Sequence, residues 1–148
     1  MTKSTIADPI DETQGERCKS FWEHLIARHP QEANYSKPTK LAYRWQEIPE
    51  LRLVVAQYIS LAGNQVGVFV RGGRSVASAA VYSNLKPFAS RLEKALRREL
   101  LSDTKYFFHK GKKFQTEDAA KWDEMADWLH KNANAYQDAL RRIMRGVA

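Results

Sequence analysis

Apolar residues recur along this chain in two rhythms. From Leu51 to Arg71, LRLVVAQYISLAGNQVGVFVR, two β-branched runs flank Gly63-Asn64. Leu51, Leu53, Val55, Ile59 and Leu61 share one side of the first run, with Gln57 as the polar interruption; Val66, Val68 and Val70 share one side of the second. A period of two predicts half-buried strands, and Gly-Asn predicts the hairpin that joins them. The hairpin is expected at the centre of an antiparallel sheet, with the flanking helices on one face.

The other rhythm is helical. Cys18, Phe21, Trp22 and Leu25 predict a helix over 14–28 that ends at His29-Pro30. A loop over 30–40 then leads to LAYRWQEI, 41–48, where Leu41, Tyr43 and Trp45 alternate with Ala42, Arg44 and Gln46; this predicts a strand turning at Pro49-Glu50. Beyond the hairpin, Ser75 is the expected N-cap of a helical stretch over 76–101. Val81, Leu85, Phe88, Leu92 and Leu96 keep one phase across Pro87, which predicts either a kink or a second helix burying the same stripe. KYFFHKGKKFQ, 105–115, reads as a strand, a turn at Gly111 and a short strand. The last helix is expected over about 117–145, capped by Thr116, with Trp122, Ala126, Leu129, Ala133, Tyr136, Leu140 and Ile143 as its seam. Asn132 and Asn134 mark an expected break, and Trp128 lies off the seam. The fold class is therefore α+β: an antiparallel sheet of about four to five strands with helices packed on one face, in the order α-β-β-β-α-β(β)-α.

Length and composition narrow this further. A chain of 148 residues is one domain by size, with 1–13 as a polar lead-in and 14–148 as the folded unit. The 43% hydrophobic share and sixteen aromatics exclude a disordered chain. No apolar run is long enough to span a bilayer, and MTKSTIADPIDETQ has no signal-peptide core, so no membrane association is expected. The lone Cys18 allows no internal disulfide and fits a reducing cytoplasm.

Charge changes the picture most. The formal net charge is +7, and residues 71–113 alone carry eleven Lys/Arg against three Asp/Glu. Such asymmetry points to an anionic partner, or else to a solvated Lys/Arg-rich surface. The candidate nucleic-acid or anion contacts are Arg71, Arg74, Arg91, Lys94, Arg98, Lys110, Lys112 and Lys113. Arg91, Lys94 and Arg98 are spaced to share one helix face. RGGRS, 71–75, could turn backbone N–H groups towards a phosphate, although it matches neither a P-loop nor a dinucleotide fingerprint and reads as well as a plain turn. Aromatic and basic residues interleave in 105–115, as on single-stranded nucleic-acid surfaces and equally on edge strands guarded by lysine. Tyr43 and Trp45 could stack a base or pack across strands.

Catalytic patterns are missing from the sequence. There is no G-x-S-x-G, H-E-x-x-H, Cys/His metal cluster or P-loop, so no cofactor and no metal are expected. His109, beside Lys110, is the one acid/base candidate near the basic segment, and a surface histidine in a Lys-rich turn explains it more simply. Cys18 on an apolar stripe reads as a small buried hydrophobe, and His24 and His29, five apart, do not make a helical metal pair.

The order of landmarks resembles a known family. FWEHL, the YRW strand, the paired strands LRLVVAQYI and VGVFVR, the LxxxLxxxL of the charged helix and KWDEMADWL together resemble the bacterial family catalogued as domain of unknown function 4268, over about residues 17–145. That family is often attached to the C-terminal side of nuclease-like domains of the restriction-endonuclease fold. The resemblance implies a bacterial cytoplasmic accessory module. It carries over no catalytic residue, because this chain lacks the acidic pair and ExK that such nucleases use for metal.

Two functions follow as expectations. The first is a non-catalytic accessory module binding nucleic acid through residues 71–113. The second is a protein-interaction or dimerisation module that uses the last helix and Trp128. Salt separates them, because phosphate contacts weaken steeply with ionic strength and an apolar helix interface does not.

Overall fold

Strands β2 (Leu53–Ser60) and β3 (Gln65–Gly72) form the expected hairpin, with Leu53 opposite Gly72 and Ser60 opposite Gln65. In the computed structural model, which describes residues 12–145, strand β1 (Tyr43–Ile48) pairs antiparallel with β2 and strand β4 (Phe107–Lys113) with β3. The sheet is an open antiparallel meander in sequence order. The hairpin loop is longer than the Gly-Asn pair alone. Residues 61–64 make the turn, and Asn64, at φ 52°, takes the left-handed conformation that asparagine tolerates well.

The four α-helices follow the apolar phase closely. Helix α1 (Glu12–Arg28) buries Cys18, Phe21, Trp22 and Leu25 completely. Residues 12 and 13 of the expected lead-in open this helix, and the rest of it lies outside the described residues. Helices α2 (Ser78–Leu85) and α3 (Ala89–Leu96) are separated by one 3-10 turn at Lys86–Phe88, where Pro87 supplies no amide. Val81, Leu85, Leu92 and Leu96 stay on one buried stripe across that break. Arg97 takes φ 56° and stops α3, so the helical stretch ends at Leu96 rather than Leu101. Helix α4 (Trp122–Met144) runs unbroken past Asn132 and Asn134, whose side chains bond Trp128 O and approach His130 instead of interrupting the ladder.

Both expected serine/threonine caps are corrected. Ser75 sits at φ 65° in the turn, and Ala77 precedes α2 without any side-chain cap. Thr116 is buried, and its hydroxyl lies 3.1 Å from the carbonyls of Ser60 and Leu61; the turn leading into α4 is capped by Asp118, which accepts from Ala120 N. Thr116 thus ties the hairpin loop to α4, a long-range task that local sequence does not display.

The core lies between the sheet and the helices. Leu53, Val55, Ile59, Val66, Val68, Val70 and Phe107 meet Phe21, Trp22, Leu85, Leu92, Leu96, Met125, Leu129 and Tyr136 in one cluster. Fully burying side chains of this size stabilises by about 1.5–3 kcal/mol each before entropy is counted. Strand β2 departs from the half-buried expectation, since all eight of its residues are buried. Its second face carries Val54, Ala56, Tyr58 and Ser60. There Ala56, Tyr58 and Phe69 form a separate small cluster with Tyr43, Trp45 and Tyr106, to which no helix residue belongs.

Strand β4 also differs from expectation. Gly111 does not turn the chain; it pairs with Gly67 inside one continuous strand. A register shift opposite Val68–Val70, with Phe108 at φ 55°, makes a bulge. Phe107 and Phe108 consequently both enter the helix-side core, and Tyr136 donates its hydroxyl hydrogen bond to Phe108 O at 2.5 Å.

Candidate nucleic-acid interface

Position along the sheet divides the basic residues that the sequence singles out. Arg71 lies at the end of β3, its guanidinium 5.9 Å from the Trp45 ring centroid and its Nη1 donating to Gly72 O. Arg74 is exposed in the turn that follows. In that turn Gly73 N donates to Arg52 O, so one amide of the supposed phosphate loop is already committed, and Gly73 O accepts from Val76 N. Lys112 and Lys113 stand at the other end of the sheet, because Lys113 is opposite Gln65 and six residues of β3 separate Gln65 from Arg71, about 20 Å of strand. The expected set therefore does not converge as a whole.

Arg91, Lys94 and Arg98 do not form one helical row either. Arg91 and Lys94 are exposed on α3, with Arg91 reaching the α4 backbone at Ile143 O. Arg98 lies beyond the left-handed stop at Arg97, outside the helix, and its positive charge is felt at His109 and Lys110 of β4. That stop brings a different group together. Partial desolvation of its ring against Tyr58, and then the nearby positive charge of Arg98, lower the pKa of the otherwise exposed His109; partial burial followed by Arg98 and Arg97 does the same for Lys110. Lys110 also sits 5.6 Å from the Tyr136 ring centroid, and Lys112 the same distance from Phe114. Arg97, Arg98, Lys110, Lys112 and Lys113 thus line the edge strand of the sheet, two arriving from the helix end and three from the strand itself.

Beside this edge lies the second face of the sheet. Tyr43 and Trp45 have ring centroids 5.8 Å apart, and across the sheet Phe69 meets Tyr106 edge-on at 4.9 Å. Tyr58 stacks on His109 at 5.5 Å, with its hydroxyl 2.7 Å from His109 Nε2 and also hydrogen-bonded to the Gln65 amide. Tyr58 can cross its neighbouring strands because they offer no side chains there. A Cβ on Gly67 would run into the Tyr58 ring, and one on Gly111 would meet Gln65 and the Tyr58 hydroxyl. Burial raises the Tyr58 pKa, which keeps it the donor towards the neutral imidazole.

The opposite face holds a polar cluster that sequence reasoning missed. Arg44 and Glu32, each 1% exposed, pair at 3.3 Å, and Gln57 bridges them by accepting from Arg44 Nη1 and donating to Glu32 Oε1 at 2.9 Å. Arg44 also donates to the backbone carbonyls of Glu32 and Ser36, and the Trp22 and Tyr35 rings flank its guanidinium at 5.6 and 5.2 Å. His130 Nδ1 reaches Glu32 Oε2 at 2.8 Å, and its ring stacks on His29 at 4.1 Å. His29 in turn bonds Asp127, whose carboxyl is held well below the usual carboxylate range chiefly by the Arg28 hydrogen bond. The available signal was Gln57, the single polar residue on an otherwise apolar strand face. Glu32, from a loop 25 residues earlier, gave none.

Chemistry at either cluster is limited. Arg44, Glu32 and Gln57 are buried, and the His109–Tyr58 pair is bonded to the Gln65 amide. Cys18 is buried, and burial pushes its thiol up to about 11, far from a reactive thiolate. Among the described residues no cluster of three or more His, Cys, Asp or Glu is placed to hold a metal ion, and no helix is long and apolar enough to cross a membrane. The α4 seam that might have served a dimer is filled by the chain's own sheet, and Trp128 packs half-buried against the same core. No protein-family model, curated protein or solved structure matches this chain.

Proposed function

We propose that this chain is a non-catalytic accessory module that binds nucleic acid through the phosphate backbone along the β4 edge. The observation that supports it is the run of Lys110, Lys112 and Lys113 along the edge strand β4, with Arg97 and Arg98 directly after the end of α3. An accessory role is also what the resemblance to the family of domain of unknown function 4268 implies. Arg71 and Arg74, at the far end of the sheet, play a lesser part, as do Arg91 and Lys94 on α3. Phosphate contacts of this kind give affinity with little sequence readout. Neutralising about four phosphates gives a log-log salt slope of roughly −3 to −4.

The test is an anisotropy titration of labelled oligonucleotides at several salt concentrations, on wild type and on Arg98→Glu/Lys110→Glu/Lys112→Glu. The expected result is salt-sensitive binding that the triple variant loses. Absence of binding by wild type at low salt would overturn the reading.

A further inference from the structure

Resting on that reading, we propose that the nucleic acid is single-stranded and that its bases stack on the helix-free face of the sheet, on Trp45 and Tyr43 at one side and on Tyr106 and His109 at the other. The face is organised for flat ligands. Its centre is filled by Ala56, Tyr58 and Phe69, which are buried and act as a floor. Its margins carry the rings that keep exposed surface: Tyr43, Trp45 and Tyr106 are half-buried, and His109 is exposed. Three inter-strand spacings separate β1 from β4, about 14 Å, so the two pairs of rings form two platforms rather than one.

Charge favours this occupant. His109 belongs both to the ring face and to the neighbourhood of Arg98, so the cationic edge and the aromatic face are continuous through one residue. On the other side Arg71 lies against Trp45, where a guanidinium can follow the backbone of a strand whose base rests on the indole. The strands project one acid onto this face, Glu47 on β1, opposite Val54. A duplex cannot use these rings, because its base faces are already stacked inside the helix; a single strand offers both its phosphates and its π-faces. Stacking of this kind tolerates any base, because every base has a π-face.

The decisive experiment compares a fifteen-nucleotide oligo-dT with a fifteen-base-pair duplex. Each is titrated against wild type, Trp45→Ala, Trp45→Leu and Tyr106→Ala, with thermal unfolding as the fold check. The leucine variant keeps apolar bulk without a stacking surface and stands in should alanine disturb the fold. Wild type is expected to bind the single strand at least tenfold more tightly than the duplex. Each ring variant should weaken single-strand binding by roughly 5- to 150-fold and leave duplex binding unchanged. Equal binding of both ligands, unaltered by the ring variants but abolished by Arg98→Glu/Lys110→Glu/Lys112→Glu, would overturn this inference and leave the phosphate-edge reading standing. No binding of either ligand at low salt overturns both. Concentration-dependent self-association that Trp45→Ala removes would also overturn it, by making the face an interface between two copies.

Discussion

The two faces of this sheet use polar residues in opposite ways. Gln57 and Tyr58 are neighbours on β2 and point to opposite sides. Gln57 enters a sealed hub in which Arg44 and Glu32 each have several partners. Tyr58 extends over two glycines to His109, a residue that still faces solvent. On the helix side, polarity holds a loop, a strand and α4 together through Glu32. On the other side it orients rings. A buried charge must be fully paired to be tolerated, whereas a half-exposed aromatic can be left available for a ligand.

The largest expected effect breaks the sealed side. Glu32→Ala leaves the Arg44 guanidinium buried without its counter-charge and should destabilise by about 3–5 kcal/mol in urea unfolding. Glu32→Leu combined with Arg44→Met should recover much of that loss, since a buried pair replaced by apolar groups is often near neutral. If the double variant is as unstable as the single, the pair is contributing more than mutual compensation.

A smaller effect is expected on the ring side. Gly67→Ala places a methyl group against the Tyr58 ring and should cost about 1–3 kcal/mol. Tyr58→Ala in the same chain should make the added methyl harmless, a non-additive cycle read from the same unfolding curves. Additivity would show that Tyr58 moves aside without cost and is no fixed floor for the face.

The smallest effect distinguishes the faces by pH. His109 has its pKa lowered by burial and by Arg98. Below the ordinary histidine value of about 6.5 the unfolded chain therefore binds more protons at this position than the folded one. Its contribution lowers stability as pH falls from 7 through that value, until the folded-state pKa is passed. His109→Gln should flatten this part of the stability profile, and an NMR titration should place the imidazole below 6.5. Asp127 acts in a separate window. With its folded pKa depressed by Arg28, its contribution is present above the ordinary carboxylate value and is lost as pH falls below about 4.

Much of the architecture could be read from the chain because its signals are local. The β2–β3 hairpin, the α1 stripe and the single buried phase across Pro87 follow from periodicity and breaker residues within a few positions. What escaped depends on distant partners. Gly111 reads as a turn because glycine usually punctuates strands, yet here it makes room for a tyrosine from β2. Thr116 reads as a helix cap, yet its hydroxyl serves the hairpin loop. The basic set was legible as composition but not as a surface. Arg97 in a left-handed conformation takes Arg98 off the helix, and the antiparallel register leaves Arg71 at the end of β3 opposite to Lys113. Tyr43 and Trp45 could be placed on one face from spacing alone, but not on the face without helices.

The pairing of α1 with α4 also sets a timetable for synthesis. Their polar contacts, His24 with Asp123 and Arg28 with Asp127, join residues 99 positions apart. The helix made first can meet β1 early, since Trp22 donates to Leu41 O and flanks Arg44, but Phe21 waits for Trp122 of the helix made last. At roughly 5–20 residues per second that interval is on the order of 5–20 seconds on the ribosome. During it the meander can close strand by strand, because each strand finds its partner in the segment just made. The nascent chain therefore holds one apolar surface in waiting, made of the α1 stripe and the sheet face that α4 will cover, and that surface is where a chaperone would find its grip.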